Sequence, residues 1–344
     1  MDNAVYQRLN TLTEQVLNGR DISGDDGRWL IRLHTDYLPT LMAGADRIRK
    51  TFRGNEIEVC AIANVRSGNC SENCSFCAQS GHYQTQAPTF GYISAEELSR
   101  QARRARQWGT ADFGIVSKGW GVRSAKEARQ LELYLQTLQR ESDIGRCASL
   151  GALSPETARQ LKAMGLENYH HNLECAESFF SEVCTTHTYQ ENIDTIRHAR
   201  EAGLRVCAGG ILGMGETLDQ RVELAETLRT LGVESVPLNF LNPQPGTPMG
   251  RREPMQPYEI LQSIAVFRYL LPKAEIRIAG GRQFLRDLQS MIFMAGASGI
   301  MIGDYLTTKG RKVEEDLQML RDLQLPFRGD TQQRRKNAVA TAVT

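Results

Sequence analysis

Cys70, Cys74 and Cys77 stand in the run Asn69-Cys-Ser-Glu-Asn-Cys-Ser-Phe-Cys-Ala78, separated by three and then two residues in a short polar segment. Cluster-binding proteins hold a [4Fe-4S] centre through cysteine thiolates, normally four of them. A compact trio with no obvious fourth leaves one iron open to a small-molecule ligand. Phe76, just before the last cysteine, completes a C-x3-C-x-aromatic-C pattern. The alternative is structural zinc, which usually takes four ligands as two separated pairs; His82 is the histidine at hand for that reading. Packing as small buried hydrophobes suits the segment poorly, because Ser, Glu and Asn lie between the cysteines.

Three further thiols fall in apolar runs: Cys60 in Glu-Val-Cys-Ala-Ile, Cys147 in Gly-Arg-Cys-Ala-Ser-Leu and Cys207 in Arg-Val-Cys-Ala-Gly-Gly. The elements that position them come from an alternation of short apolar and longer amphipathic stretches. Strands are expected at 57–64, 111–117, 144–150, 167–173, 204–209, 234–240, 275–279 and 299–302, with helical patterns between them, such as 95–108 and 218–231. Eight strand and helix pairs predict an α/β fold, a parallel (β/α)8 TIM-type barrel over 53–329. It follows an N-terminal helical extension over 1–52 and precedes a polar tail at 330–344; a doubly wound open sheet is the alternative.

In a barrel the three-cysteine loop follows the first strand directly, where such enzymes carry their chemistry. Cys60, Cys147, Cys207 and Arg277 fall on the first, third, fifth and seventh expected strands. Alternate strands supply the four side chains of an interior layer, so these residues are expected to meet on the axis. A buried arginine needs a partner, and a thiolate-ligated cluster would provide the negative charge. Taken singly, each cysteine reads equally well as an inert core residue. Cys175 and Cys184 lie outside the strands and read as structural.

The 344 residues are 41% hydrophobic, enough for one large catalytic barrel with extensions. Lys plus Arg number 41 against 40 Asp plus Glu, so there is no basic footprint for nucleic acid or anionic membrane. No apolar run approaches the roughly 20 residues that cross a bilayer, and the start lacks the features of a signal peptide. The expected location is cytoplasmic, where eight cysteines read as ligands or reactive thiols rather than disulfides.

From about Glu58 to Leu323 the chain resembles the biotin synthase family of radical S-adenosylmethionine (SAM) enzymes. The resemblance rests on Ser67 to Ser80, His170-His171-Asn172-Leu173-Glu174 and Thr185-Thr186-His187-Thr188-Tyr189. It continues through Cys207 to Thr217, Ser235-Val-Pro-Leu-Asn239 and Gly303-Asp-Tyr-Leu-Thr-Thr308. It implies sulfur insertion into dethiobiotin, with a 5'-deoxyadenosyl radical abstracting hydrogen and an auxiliary iron–sulfur cluster supplying sulfur. By the same resemblance Cys70, Cys74 and Cys77 bind the [4Fe-4S] cluster, whose fourth iron SAM chelates. Phe76, Asn172, Glu174 and Ile211 contact SAM, the last within the Gly209 to Gly215 run, read as permitting close backbone approach to a ligand. Asn172 and Asn239 contact substrate; a helix cap is the other reading of Asn172 and Glu174. Ser235 is expected to bond near Arg277. An electron donor such as flavodoxin or ferredoxin and a homodimer are also implied.

The chain departs from the family pattern at the second strand, where Gly114 stands in place of an auxiliary-cluster cysteine. Cys60 is expected to replace it, giving Cys60, Cys147, Cys207 and Arg277 around a [2Fe-2S] or larger centre. Ser117 and Lys118 are poorer substitutes, since sulfur is the better ligand. Asn192 occupies a position where the family often has arginine, leaving one charge contact unassigned. The rival functions are another radical SAM enzyme on the same barrel, such as a hydrogenase-cofactor maturase, and a non-catalytic zinc-binding protein.

Overall fold

The computed structural model describes residues 2–141 and 143–330. Nine parallel strands form its sheet: β1 (Glu58–Arg66), β2 (Asp112–Ser117), β3 (Gly145–Ser149), β4 (Asn168–His170), β5 (Arg205–Cys207), β6 (Gly210–Leu212), β7 (Ser235–Phe240), β8 (Glu275–Ile278) and β9 (Gly299–Met301). Their order is β5-β4-β3-β2-β1-β9-β8-β7-β6, and a pairing of β5 with β7 closes the ring. Closure excludes the open sheet, since a doubly wound fold leaves two edges.

The fifth expected strand is realised as two, β5 and β6, so Arg277 of the seventh expected strand lies on β8. The interruption falls opposite Pro237 on β7, whose ring nitrogen donates no ladder hydrogen bond. Gly209 passes so close that a Cβ there would lie 2.0 Å from the Pro237 carbonyl oxygen.

Helices α4 (Ala95–Gln107), α5 (Ala125–Glu141), α6 (Pro155–Ala163), α7 (Tyr189–Glu201), α8 (Leu218–Leu231), α9 (Pro257–Leu270), α10 (Met291–Met294) and α11 (Val313–Asp322) follow the strands. Ser94, Ser154, Thr188 and Thr217 cap α4, α6, α7 and α8 by accepting a backbone N–H two or three residues into the helix. These caps stop the chain turning in the loops above the strands, where site residues sit.

Before the barrel come α1 (Asn3–Leu17), α2 (Gly24–Leu30) and α3 (Leu38–Arg53). Leu9, Leu41 and Ile48 from α1 and α3 belong to the same apolar cluster as the barrel's helix-facing residues. Gly44 lets α3 close onto α9: a Cβ there would lie 1.9 Å from the Tyr269 hydroxyl, which instead pairs with Thr13 Oγ1 at 2.7 Å. Of the expected tail, 331–344 lies outside the described residues. No helix among the described residues is long and apolar enough to cross a membrane.

Candidate active site

The cysteine loop is fastened at both ends and along its length. Gly68 (φ 75°) and Asn69 (φ 51°) turn the chain at the end of β1 in left-handed conformations, and a Cβ on Gly68 would meet Thr89 Oγ1 at 2.2 Å. Gln79 Oε1 accepts from Ser67 Oγ (3.0 Å) and the Gly68 N–H (3.3 Å), tying the two limbs together. Inside the loop, Cys70 N–H donates to Gln79 O and Gly81 N–H to Cys70 O, both at 2.8 Å. Such a hairpin carries all three thiols on one short, internally bonded frame.

A segment more than a hundred residues away braces that frame. Glu72, between the first two cysteines, accepts from Thr186 Oγ1 (2.7 Å) and bonds His187 Nδ1 (2.8 Å), while Asn73 Oδ1 accepts the Thr185 N–H at 3.0 Å. Trp120 stacks on the His187 ring with centroids 3.8 Å apart. Burial lowers the His187 pKa, but Cys184 and Glu72 outweigh it and the net direction is up. His82 does not join the trio; its Nε2 lies 2.9 Å from Ser71 O. Cys184, expected to be structural, hydrogen-bonds Cys74, which together with burial drives the Cys74 thiol far up in the metal-free state. A metal ion competes for that sulfur by displacing its proton.

Above the barrel axis lies a cavity of about 310 Å³. Phe76 of the cysteine loop lines it, as do Asn172, Glu174, Ile211 and Asn239. Cys60, Cys147, Cys207 and Arg277 face the same space from inside the strands. Burial pushes the Cys60 thiol up to about 12, against the lowering influence of Arg277; Cys147 and Cys207 are raised for the same leading reason. Three soft donors around a common space, Cys60 and Cys207 buried and Cys147 half-buried, fit an iron–sulfur centre, which would take their protons on binding.

Arg277 has carboxylate partners within the protein. Its Nη2 lies 2.5 Å from Glu275 Oε1 and 3.6 Å from both Glu58 and Asp112 carboxylates. The guanidinium is therefore compensated by the protein itself. Burial lowers its pKa, but Cys60, Glu275, Cys207 and Asp112 more than offset this and hold it well above its ordinary value. The Glu275 carboxyl, wholly buried beside Glu58, is shifted upward by burial even against Arg277.

Asn172 Oδ1 accepts the Gly209 N–H at 3.1 Å, and its Nδ2 donates to Glu174 Oε2 at 3.3 Å. Asn239 likewise spans two strands, donating to Gly210 O (3.2 Å) and accepting from the Gly280 N–H (2.9 Å). Glu174 sits at φ 67°, a conformation costing on the order of 1–3 kcal/mol. Its carbonyl accepts the Ile211 N–H at 2.8 Å, and Gly210 makes room, since a Cβ there would lie 2.6 Å from that oxygen.

Desolvation pushes the Glu174 carboxyl from 4.5 up to about 7. A raised acid pKa means the folded chain binds the proton more tightly than the unfolded one, so stability falls as pH rises from about 4.5 to about 7 and is then level. The fall is at most about 3 kcal/mol, less where cavity water reaches the carboxylate. Urea unfolding of metal-free, SAM-free Glu174→Gln is expected to show that much less loss across the window.

The Radical SAM superfamily model matches residues 64–228, and the Biotin and Thiamin Synthesis associated domain matches 237–326. A biotin synthase of Geotalea daltonii is 48% identical over 318 residues, covering 92% of this chain and 97% of its own. Those of Geobacter sulfurreducens and Pelotomaculum thermopropionicum are 46% and 44% identical, over 92% of this chain and 97% and 99% of theirs. The chain belongs to the biotin synthase family. It is accordingly a radical SAM, sulfur-inserting enzyme. Among solved structures, methylornithine synthase (PylB) matches at TM-score 0.81 and 17% identity, over 95% of this chain and 99% of that one. The FeFe-hydrogenase maturase HydG from Carboxydothermus hydrogenoformans matches at 0.75 and 18%, over 96% and 81%. At those identities the two show a shared fold.

The structure gives definite partners to other residues singled out in the sequence. In the Gly209 to Gly215 run Ile211 lines the cavity, while the N–H groups of Gly213, Met214 and Gly215 all donate to the Glu216 carboxylate (2.7–3.1 Å), which Arg221 Nε also bonds at 2.7 Å. Ser235 Oγ lies 3.5 Å from Cys207 Sγ, in the pocket that Arg277 also lines. Asn192 is buried, its Oδ1 2.9 Å from His171 Nε2. Lys118 Nζ donates to Asn69 O at 2.8 Å, which removes it from the interior. At Gly114 a Cβ would already touch Ile62 Cγ2 at 3.1 Å, so a cysteine there would be crowded by the neighbouring strand. Residues that sequence reasoning passed over are Glu72, Trp120, His170 and, as a brace, Asn73. Glu72 and His170 stand inside the quoted motifs, which was the signal available for them.

Proposed function

We propose that this chain converts dethiobiotin to biotin in the cavity between the cysteine loop and the barrel interior. The observation that carries the reading is that one cavity is lined by Phe76 of that loop, by the amides of Asn172 and Asn239, and by the thiols of Cys60, Cys147 and Cys207. Cys70, Cys74 and Cys77 would hold a [4Fe-4S] cluster that binds SAM. The interior thiols, with a fourth donor, would hold an auxiliary iron–sulfur centre, either [2Fe-2S] or larger. When bound, the first group and SAM supply a reductive cleavage whose product removes hydrogen from unactivated carbon, and the second supplies sulfur.

The protein's own part is to position and to exclude water. Glu72, His187 and Trp120 anchor the loop that carries the thiols. Glu174, poised near neutrality, accepts from ligand hydroxyls or donates as its protonated form. Asn239 retains one amide hydrogen and one lone pair beyond its two backbone bonds, enough to meet the N–H and C=O of a cyclic urea. Ile62, Ile211, Pro237 and Met301 provide an apolar wall that keeps water from a reactive carbon centre. A one-electron donor of the flavodoxin or ferredoxin kind, a homodimer and a cytoplasmic setting complete the proposal.

Reconstituted protein incubated anaerobically with dethiobiotin, SAM and reductant is expected to yield biotin together with 5'-deoxyadenosine, measured in the same sample. Deoxyadenosine without biotin would reject the substrate; neither product would reject the reaction class.

A further inference from the structure

We propose that His170 is a protein ligand of the auxiliary iron–sulfur centre, its Nδ1 sharing an iron with the Cys207 thiolate in the place expected of Arg277. The inference rests on the reading of Cys60, Cys147 and Cys207 as ligands of that centre, and names the fourth donor.

Arg277 is poorly suited to the task. Its Nε and Nη2 both engage Glu275, at 2.7 and 2.5 Å, with Glu58 and Asp112 at 3.6 Å. A charged guanidinium has no lone pair to offer a metal, and three carboxylates around it favour keeping its proton. Its role here is to balance carboxylate charge beneath the thiols.

His170 has the opposite properties. It ends β4 directly beside Cys207 in the strand register, lines the cavity, and holds Nδ1 3.3 Å from Cys207 Sγ. Two donors bonded to one tetrahedral metal at about 2.0 Å for nitrogen and 2.3 Å for sulfur stand about 3.5 Å apart. The pair therefore already has close to the separation that a shared iron requires. The next residue, His171, faces away from the interior and bonds Asn192, as the alternation of a strand dictates. Imidazole nitrogen is an established substitute for thiolate in [2Fe-2S] centres of the Rieske kind. On binding, Cys207 releases its thiol proton, while neutral His170 gives its Nδ1 lone pair and keeps the proton on Nε2. No electron changes hands.

The test is pulsed electron paramagnetic resonance of reduced, reconstituted holoenzyme carrying 15N-histidine, alongside iron and sulfide counts and Mössbauer spectra. A strong coupling to bonded histidine nitrogen is expected in the wild type. In His170→Cys it should vanish while the iron count holds and the auxiliary midpoint potential falls, as thiolate replaces imidazole. A full auxiliary centre with no strong histidine coupling, or with coupling from 15N-arginine instead, overturns the assignment and leaves the auxiliary-centre reading standing. A wild type holding only four irons per chain, with a single cluster spectrum, overturns both. The wild-type measurement decides the matter even where the variant does not fold.

Discussion

A Cys74→Ser protein is expected to lose SAM cleavage by several orders of magnitude while its barrel stays folded. The three loop thiols act as a set, and a hydroxyl is a poor iron–sulfur ligand, so removing one leaves two anchors for a centre that needs three. The fold should survive because the loop is fastened by bonds that do not involve this sulfur: Gln79 to Ser67 and Gly68, and Glu72 to Thr186 and His187. Anaerobic 5'-deoxyadenosine release, read beside circular dichroism, checks this. A Cys74→Ser protein that still cleaves SAM at near wild-type rate would contradict the assignment.

The second large effect concerns stability. Arg277→Met leaves Glu275 buried with Glu58 and Asp112 beside it, and the cation that remains, Arg53, is paired to Glu58 rather than to Glu275. Breaking a buried ion pair by removing one partner costs roughly 3–5 kcal/mol. Partial exposure of Glu58 and Asp112 places the burden on Glu275, whose side chain is 1% exposed. Adding Glu275→Gln to Arg277→Met should therefore recover much of the loss, a coupling that a double-mutant cycle in urea reads directly. If Arg277→Met costs less than about 1 kcal/mol, or if the second substitution adds to the damage, the guanidinium is not balancing these carboxylates.

The alternation of apolar runs and amphipathic stretches was enough to place the barrel and to put the cysteine loop at the end of β1. Helices such as Leu218–Leu231 and Pro257–Leu270 are marked at their starts by a Thr cap or a first-turn proline, which is local information. The break between β5 and β6 is not local: it depends on Pro237 in a strand that pairs alongside. Two companions of Arg277 come from other strands, Glu58 of β1 and Asp112 of β2, and no spacing encodes those, whereas the nearest, Glu275, stands two residues away on β8 itself and could have been read from strand alternation. Glu72 meets His187 across 115 residues of sequence, and no short spacing encodes that. The glycine run holds a further feature that its spacing did not announce. Its geometry does make a nest for an anion, but the chain fills it with its own Glu216. The pairing of Cys60 with Cys147 and Cys207 was legible because strand alternation and the odd-strand rule together fix which side chains point inward.

On the reading proposed above, sulfur for the product is held by thiols of the barrel interior, in the cavity that also serves the cysteine loop. Reconstitution with 34S-sulfide, removal of excess sulfide, and one turnover with dethiobiotin, SAM and reductant measure it by mass spectrometry of the biotin formed. The wild type should give 34S-biotin. Cys60→Ser should still release 5'-deoxyadenosine but give little labelled product. Unlabelled biotin from the wild type, or undiminished labelled biotin from Cys60→Ser, would contradict the account.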